Sequence, residues 1–179
     1  MKSFAAALVI ALSATPAMSQ TAVTAPANPG VTTSGVYWEQ MTANVTKAAE
    51  QMPEANYAFR PVATVRTFGQ LIAHVAGAQT MICGAALGEK TAGEDDIEKK
   101  RMSKADLAAA LKTSTAYCRR AYAMTDATST GMIKLFGQDM TRLSALMLNA
   151  THNAEHYGNL VTYLRIKGMV PPTSQPTAR

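Results

Sequence analysis

The chain has 179 residues, 47% of them hydrophobic, and a formal net charge of +5 at neutral pH. This is the length of one ordinary domain, large enough to bury a core without support from a metal ion or a disulfide. Basic and acidic residues are interleaved, as they are over residues 94–101. This distribution argues against a nucleic-acid partner, since nucleic-acid-binding proteins favour a one-signed basic face.

Residues 1–19 have the features of a signal peptide, and a buried N-terminal helix is the alternative interpretation. Lys2 provides positive charge, residues 4–12 form a short apolar run before Pro16, and Ala17-Met18-Ser19 offer small residues at a cleavage site. We therefore predict export, either to the periplasm or out of the cell. No later stretch is expected to be long and apolar enough to span a membrane, so we predict no membrane partner.

The rest of the chain divides into three parts by composition. Residues 20–33 are rich in Thr, Ala and Pro without a clear period, which predicts a disordered linker. Residues 34–174 form the predicted domain, and residues 175–179 form a loose tail. No stretch of the domain alternates convincingly with the period of two that indicates a strand, so the predicted fold class is all-α.

Four helices are predicted in this domain. Pro53 stops the first, Thr67 is the N-cap of the second, and Gly88 and Gly168 suit the left-handed position after the second and fourth. The expected helices cover residues 34–52, 67–87 and 103–125, and then residues 139 or 141 to 167. Joined by long connections, they favour an antiparallel up-down four-helix bundle, in which the second and fourth helices run parallel.

The chain contains three histidines, and their positions predict a metal site. His152 and His156 are four residues apart, so they share one face of the fourth helix. His74 lies in the second helix, as far before Gly88 as the midpoint of the histidine pair lies before Gly168. If these two helices end at the same level, the three rings lie at one height in the bundle.

Three neutral imidazoles suit a divalent transition metal such as Zn, Ni, Fe or Cu. A closed structural zinc site takes four protein ligands, so three ligands leave a position for water or substrate. Water bound at such a position becomes a nucleophile near neutral pH. The alternatives are that His74 is a hydrogen-bonded core residue, and that His152 and His156 make polar contacts on a solvent-exposed face.

Glu155 follows His152 by three residues and is a candidate catalytic residue, as a base or as a support for the ligands. A surface carboxylate paired with its helical neighbours is the alternative. Three further residues could line a pocket at the histidine face: Asn149, Asn153 and Tyr163. Tyr37, Trp38 and Met41 could form its apolar wall, although ordinary packing also accounts for Tyr37 and Trp38.

Cys83 and Cys118 are the two cysteines of the chain. Export to an oxidising compartment allows a disulfide between the second and third predicted helices. One cysteine lies near the end of its helix and the other far into its own, which argues against contact in an up-down bundle. The sequence is therefore compatible with two alternatives, a disulfide between these cysteines or two buried thiols.

Two motifs of the chain resemble the DinB-like superfamily of four-helix metalloproteins. Residues 66–75, Arg-Thr-Phe-Gly-Gln-Leu-Ile-Ala-His-Val, resemble its second-helix motif, and residues 152–158 with 163–168 resemble its last helix. The resemblance covers residues 34–174 and implies a divalent-metal site at His74, His152 and His156. The superfamily includes thiol-dependent S-transferases and an isomerase. Its members are often dimers, which implies a homodimer as one expected assembly.

Three functions are compatible with these observations. The leading hypothesis is an exported metalloenzyme, a hydrolase or transferase that acts on a small-molecule substrate. The second is a non-catalytic bundle that holds a metal for stability or sequestration. The third is an interaction module whose histidines serve only in packing.

Overall fold

The computed structural model of the protein describes residues 25–100 and 103–176. The predicted signal peptide at 1–19 lies outside the described residues, as do residues 20–24 of the linker and 177–179 of the tail. Short 3-10 turns follow the first and last helices. The helices and strands of the described part are α1 Pro29–Gln51, α2 Phe68–Leu87, α3 Lys104–Ala121, α4 Asp126–Ser129, β1 Met132–Leu135, β2 Gln138–Thr141 and α5 Arg142–Ile166.

Local capping places both ends of α2 where the sequence predicts them. The Thr67 side chain accepts from the Gln70 amide, and the Gln70 side chain accepts from the Thr67 amide. Gly88 follows α2 at φ 78°, a left-handed conformation that glycine adopts at little cost. Ser103 and Asp106 make the same reciprocal cap before α3, which ends at Ala121 rather than at residue 125.

Helix α1 begins at Pro29 rather than at residue 34, so the linker prediction is wrong for residues 29–33. Proline suits the first turn of a helix, where its missing amide proton is not needed. The amides of Gly30 and Val31 donate to the Asp126 carboxylate at 2.9 and 2.8 Å. This carboxylate caps α1 from a distant part of the chain, so local sequence gives no sign of it.

A β-hairpin occupies most of the loop predicted at residues 126–138, so the all-α prediction is wrong for this segment. Strands β1 and β2 pair antiparallel, with Leu135 opposite Gln138. Phe136 and Gly137 connect them with φ of 50° and 75°. A two-residue hairpin turn of type I′ requires positive φ at both connecting residues. Helix α5 follows the hairpin directly, close to the predicted start of the fourth helix.

Helices α2 and α3 run in the same direction. Near their starts Gly69 lies against Leu107, and near their ends a disulfide joins Cys83 to Cys118, with Cα atoms 5.3 Å apart. The up-down prediction is therefore wrong for this pair of helices. Because the helices are parallel, the two cysteines lie at one level, and the offset that argued against a disulfide does not exist.

Helix α5 runs antiparallel to α2 and parallel to α1. His74, near the start of α2, faces His152, whereas Cys83, near the end of α2, contacts Asn149 further towards the start of α5. The prediction that the second and fourth long helices are parallel is therefore wrong. Contacts between α1 and α5 follow the same order along both helices: Gly30 with Leu143, Thr42 with Asn153, and Gln51 with Val170 just beyond α5.

Residues 89–100, named the crossover below, run back along one side of α2. Two glycines of α2 make room for it. A methyl group on Gly77 would overlap the backbone carbonyl of Glu94, and one on Gly84 would overlap the side chain of Thr91. Since every other residue type carries a Cβ, glycine at these positions lets the crossover approach this closely. The crossover thereby carries its acidic residues towards the start of α2.

Buried apolar side chains form two clusters along the long helices. We name them the histidine end and the disulfide end. The histidine end includes Phe68, Leu71, Ile72, Leu160 and Leu164. The disulfide end includes Trp38, Ile82, Cys83, Cys118 and Leu146.

A buried polar layer lies between the two ends and joins α1, α2, α3 and α5. The Gln79 side-chain carbonyl accepts from Trp38 Nε1 at 2.7 Å, from Asn153 Nδ2 at 3.1 Å and from Thr42 Oγ1 at 3.3 Å. The Gln79 amide donates to Ser114 Oγ at 3.3 Å. These five side chains are buried, so loss of one partner would leave another without a hydrogen bond.

Helix α2 is long and apolar enough to cross a membrane when judged by length and composition alone. The prediction that no stretch after residue 19 meets this criterion is therefore wrong. However, 72% of the relevant window of α2 is buried within the described structure. The helix contacts α1, α3 and α5, and a helix surrounded by partners in this way is apolar on most sides.

Candidate metal centre

The side chains of the three histidines converge between α2 and α5. Nε2 of His152 lies 3.2 Å from Nε2 of His74 and 3.0 Å from Nε2 of His156. Each histidine offers one nitrogen to a group whose atoms all lie within 4.8 Å of one another. His74 and His156 are buried, and His152 is partly buried. The structure thus brings together the three residues that the sequence predicts as metal ligands.

This convergence results from the antiparallel directions of α2 and α5, not from the parallel arrangement used in the prediction. His74 lies in the first half of α2, and the histidine pair lies at the middle of α5. Antiparallel helices bring these positions to one level. The prediction that Gly88 and Gly168 lie at one level is wrong, because these glycines end helices that point in opposite directions.

The surroundings hold at least two of the imidazoles neutral. Burial lowers the pKa of His152 to about 4, and repulsion from His156 and His74 adds to the effect. Burial also lowers the pKa of His156 to about 4, with further contributions from His74 and Arg66. Both rings are therefore unprotonated near neutral pH, which is the form of histidine that binds metals.

The donor set fits a divalent transition metal. Two nitrogens bound to one tetrahedral zinc ion at about 2.0 Å lie about 3.3 Å apart, and the Nε2 atoms here are separated by 3.2 and 3.0 Å. Nitrogen lone pairs at this distance repel one another unless a proton or a cation lies between them. The Asp95 carboxylate lies 3.4 Å from Nδ1 of His74 and favours the tautomer that leaves Nε2 free.

A cleft of about 790 Å³ opens beside the histidine cluster. The connection at residues 60–66 forms one wall, and Asn159 and Tyr163 of α5 contribute to the other. A volume of this size suits a small molecule. Of the three histidines, His156 lines the cleft, so a molecule bound there would approach the cluster from the side of His156.

Glu155 is exposed on α5 and lines the same cleft beside His156. Its negative charge raises the pKa of His152, against the larger effect of burial. The geometry therefore places this candidate base at the wall of the cleft, outside the cluster of converging nitrogens. Its catalytic role stays a prediction.

The other predicted pocket residues have varied locations. Tyr163 lines the cleft, and its hydroxyl donates to the carbonyl of Arg66 at 2.6 Å. Tyr37 and Met41 line a separate apolar groove between α1 and α5. The pocket prediction is wrong for three residues that are buried in the core: Asn149, Asn153 and Trp38.

Sequence reasoning missed three charged residues around His74. Asp95 Oδ1 and Glu98 Oε2 lie 3.4 and 3.8 Å from Nδ1 of His74. Arg66 pairs with Asp95 at 3.6 Å and with Glu98 at 2.8 Å. Interleaved charges such as those of residues 94–101 are typical of a solvated loop, so the pattern by itself does not point to His74. The signal that could have corrected this interpretation is the glycine at position 77, which allows the crossover to lie against α2.

The fold and the site together define a class: a mainly helical protein with three imidazoles converging between two long helices, beside a cleft. The family model of the DinB superfamily matches residues 37–160. The chain belongs to the DinB superfamily, as the resemblance of its two motifs indicated. No curated protein matches the sequence of this chain.

Solved structures of DinB-like proteins share the fold. A DinB-like protein from Bacillus cereus ATCC 10987 aligns with a TM-score of 0.67 and 20% identity, over 78% of this chain and 93% of that chain. A DinB-like protein from Bacillus subtilis gives 0.64 and 21%, over 84% and 100%. The mycothiol-dependent maleylpyruvate isomerase gives 0.60 and 16%, over 73% of this chain and 60% of that chain.

Proposed function

We propose that this chain is an exported, divalent-metal-binding protein of the DinB superfamily, with a four-helix bundle that holds one ion at His74, His152 and His156. The observation that carries the proposal is the approach of three imidazole Nε2 atoms, two pairs of which lie 3.2 and 3.0 Å apart. Neutral imidazole nitrogens are typical ligands of zinc, nickel and iron. Three protein ligands leave one position for water or a substrate.

The proposed activity is that of a metal-dependent hydrolase or transferase. A metal held by three imidazoles supplies Lewis-acid activation of water or of a bound substrate. The cleft beside His156 would bind a small-molecule substrate, and the bond from Tyr163 to the Arg66 carbonyl would hold the wall formed by residues 60–66. Glu155, on the same cleft, is the candidate base.

Similarity to the isomerase supports including thiol-dependent reactions in this proposal. By its name, that isomerase depends on the thiol mycothiol, and it shares the fold at 16% identity. The similarity covers 60% of the isomerase chain, so the comparison concerns the helical part that the two proteins have in common. A thiol-bearing molecule is therefore one substrate class to include in an activity screen.

Export is proposed from two independent features. Residues 1–19 have the composition of a signal peptide. The buried disulfide between Cys83 and Cys118 is of a kind that persists in oxidising compartments and is rare in the cytosol. We propose a periplasmic or secreted location, and mass spectrometry of the mature protein should give an N-terminus at Gln20.

A non-catalytic metal-binding protein is the second candidate function. It is favoured by the position of His74, which is buried and does not line the cleft beside His156. An ion enclosed in this way would stabilise the fold without reaching a substrate. In that case a chelator would lower the melting temperature, and no metal-dependent turnover would accompany the bound ion.

Elemental analysis of the purified protein tests the shared claim of both candidates. We expect about one transition-metal ion per chain in the wild type, and loss of this ion in His152→Ala and in the variant lacking all three histidines, because two neutral donors hold an ion far less well than three. Circular dichroism would verify that the variants keep their helices. A wild type that binds none of zinc, nickel or iron would reject the metal site.

Screening of the metal-loaded protein separates the two candidates. Turnover of an ester or of a thiol-transfer substrate that disappears on chelation and in His152→Ala would support the enzyme. Glu155→Gln should reduce that turnover while leaving the metal content unchanged, because Glu155 lies outside the histidine cluster. Bound metal without turnover across the screen would favour the non-catalytic protein.

A further inference from the structure

We infer that Asp95 is a positioning residue for His74, and that Arg66, itself bound to Glu98, holds Asp95 in place. This inference rests on the proposed metal function, since it concerns how one ligand is oriented. His74 is 6% exposed, and its two ring nitrogens face different partners. Nε2 faces His152 at 3.2 Å, while Nδ1 faces Asp95 Oδ1 at 3.4 Å.

The position of Asp95 fixes which nitrogen of His74 carries the proton. A carboxylate accepts hydrogen bonds only, so the contact requires a proton on Nδ1. The neutral ring then has its lone pair on Nε2, directed at the other two histidines. A histidine ligand supported in this way is held in one orientation and becomes a stronger donor.

Arg66 and Glu98 complete the support around Asp95. The Arg66 guanidinium pairs with Glu98 at 2.8 Å and with Asp95 at 3.6 Å. Glu98 is the less exposed of the two acids, with 14% of its side chain accessible against 44% for Asp95. Arg66 Nε donates a charge-assisted hydrogen bond to Glu98, which fixes the guanidinium. The fixed positive charge then attracts the Asp95 carboxylate at 3.6 Å, which is the acid that His74 contacts.

The same pairs argue that His74, Asp95 and Glu98 are not a second cation site. These three residues do lie close enough to hold a metal ion by distance alone. However, the two carboxylates already share one positive charge, that of Arg66. A further cation on this side would face the guanidinium at close range, and like charges at such distances repel.

The fold explains why Asp95 reaches His74 across 21 positions of sequence. The crossover returns along α2, and Gly77 lets the backbone at Glu94 lie directly against the helix. Gly77 is one turn of helix beyond His74, so the residue that follows Glu94 in the crossover lies beside the histidine ring. Close contact at this glycine therefore sets the position of the acid.

The experiment compares the zinc affinity of Asp95→Ala, Asp95→Asn and a matched control, Asp96→Ala, in the full mature protein. Asp96 is the adjacent acid, and its side chain caps the local turn and pairs with Lys99 rather than with His74. Competition with a chromophoric chelator gives the affinity. We expect about 10-fold to 100-fold weaker binding for Asp95→Ala, a smaller loss for Asp95→Asn, which keeps an acceptor oxygen, and little change for Asp96→Ala.

A nitrogen-15 spectrum of the histidine rings in the zinc-loaded protein provides a second measurement, which a purely structural role would not affect. In the wild type, the His74 ring should show a protonated Nδ1 in slow exchange. In Asp95→Ala this signal should broaden or shift, while the ring signals of His152 and His156 stay in place. Wild-type affinity in Asp95→Ala, or an unchanged His74 signal, would overturn the inference.

The result also distinguishes this inference from the proposed function. If His152→Ala abolishes zinc binding and Asp95→Ala leaves it unchanged, the metal site stands and the positioning role of Asp95 is rejected. If His152→Ala itself leaves zinc binding unchanged, the proposed function fails, and the role of Asp95 fails with it.

Discussion

The histidine end and the disulfide end of the molecule are held together by different means. At the disulfide end, a covalent bond joins α2 to α3, and the Trp38 and Tyr122 rings stack with centroids 4.4 Å apart. At the histidine end, polar side chains converge beside a cleft, and the crossover is held there by ion pairs and by close contact with Gly77. Converging donors with lowered pKa values cost stability when no metal is bound. The disulfide end therefore contributes stability to the fold, whereas the histidine end is arranged for binding.

Removal of the disulfide should have the largest effect on stability. The bond closes a loop with a sequence separation of 35 residues, for which the chain-entropy model gives about 4 kcal/mol. We expect Cys83→Ala with Cys118→Ala to lower the free energy of unfolding by about this amount in urea titration. Zinc affinity should change little. A loss of zinc affinity in a still-folded variant would show that the two ends are not separate.

Gly77→Ala should affect the histidine end more than the disulfide end. The added methyl group would overlap the Glu94 carbonyl, so the crossover must move, and overpacking of this kind costs about 1–3 kcal/mol. We expect weaker zinc binding together with this loss of stability, because Asp95 moves with the crossover. Gly158→Ala is the matched control, since no atom lies within 4 Å of a Cβ at that exposed helical position. Wild-type zinc affinity in Gly77→Ala would contradict the claim that close contact at Gly77 sets the position of Asp95.

Gln79→Leu should weaken the polar layer between the two ends. The substitution leaves the buried Trp38 Nε1 and one contact of Asn153 Nδ2 without an acceptor, which costs about 1–3 kcal/mol. A double-mutant cycle with Trp38→Phe measures the coupling, because the phenylalanine no longer needs the acceptor. Equal losses for Gln79→Leu with and without Trp38→Phe would show that the hydrogen bond contributes little.

Acid should destabilise the metal-free protein through the histidine end. The pKa values of His152 and His156 are about 4 in the folded chain, against an ordinary value of 6.5. Between these values the unfolded chain binds more protons, so stability falls as the pH falls from about 6.5 towards about 4. Urea titrations in the presence of EDTA should show this slope. His152→Ala with His156→Ala should flatten it, and an equal slope in that variant would assign the effect to other groups.

The sequence predicts those parts of the fold that depend on neighbouring residues. Both ends of α2 are set within one turn by Thr67, Gln70 and Gly88, so a local pattern was sufficient to place them. The start of α1 is not evident from the local sequence because its cap, Asp126, lies 96 residues beyond Gly30. The predicted helix directions are wrong because a long connection can return the chain to either end of the preceding helix. The contacts that accompany the observed path, those of the crossover with Gly77 and Gly84, are tertiary and leave no local pattern.

In the candidate site, too, local features are predictable from the sequence and tertiary contacts are not. The three histidines were identified because they are scarce and two of them have helical spacing. Asp95 was missed because an acidic residue in a charged loop is usually solvated, and its relation to His74 depends on the path of the crossover. The sequence does not decide between a disulfide and two thiols for the same reason, since contact between the cysteines depends on α2 and α3 running parallel.

The bond between Cys83 and Cys118 has a consequence for any cut in the chain between these residues. Together with the intervening backbone it closes a covalent ring, and the whole crossover belongs to that ring. A protease that cleaves once inside the ring produces two fragments that still migrate as one molecule until a reductant separates them. Asp95, which faces His74, would thus stay covalently attached to the scaffold after a single cut, through the cysteine on its own side of the break.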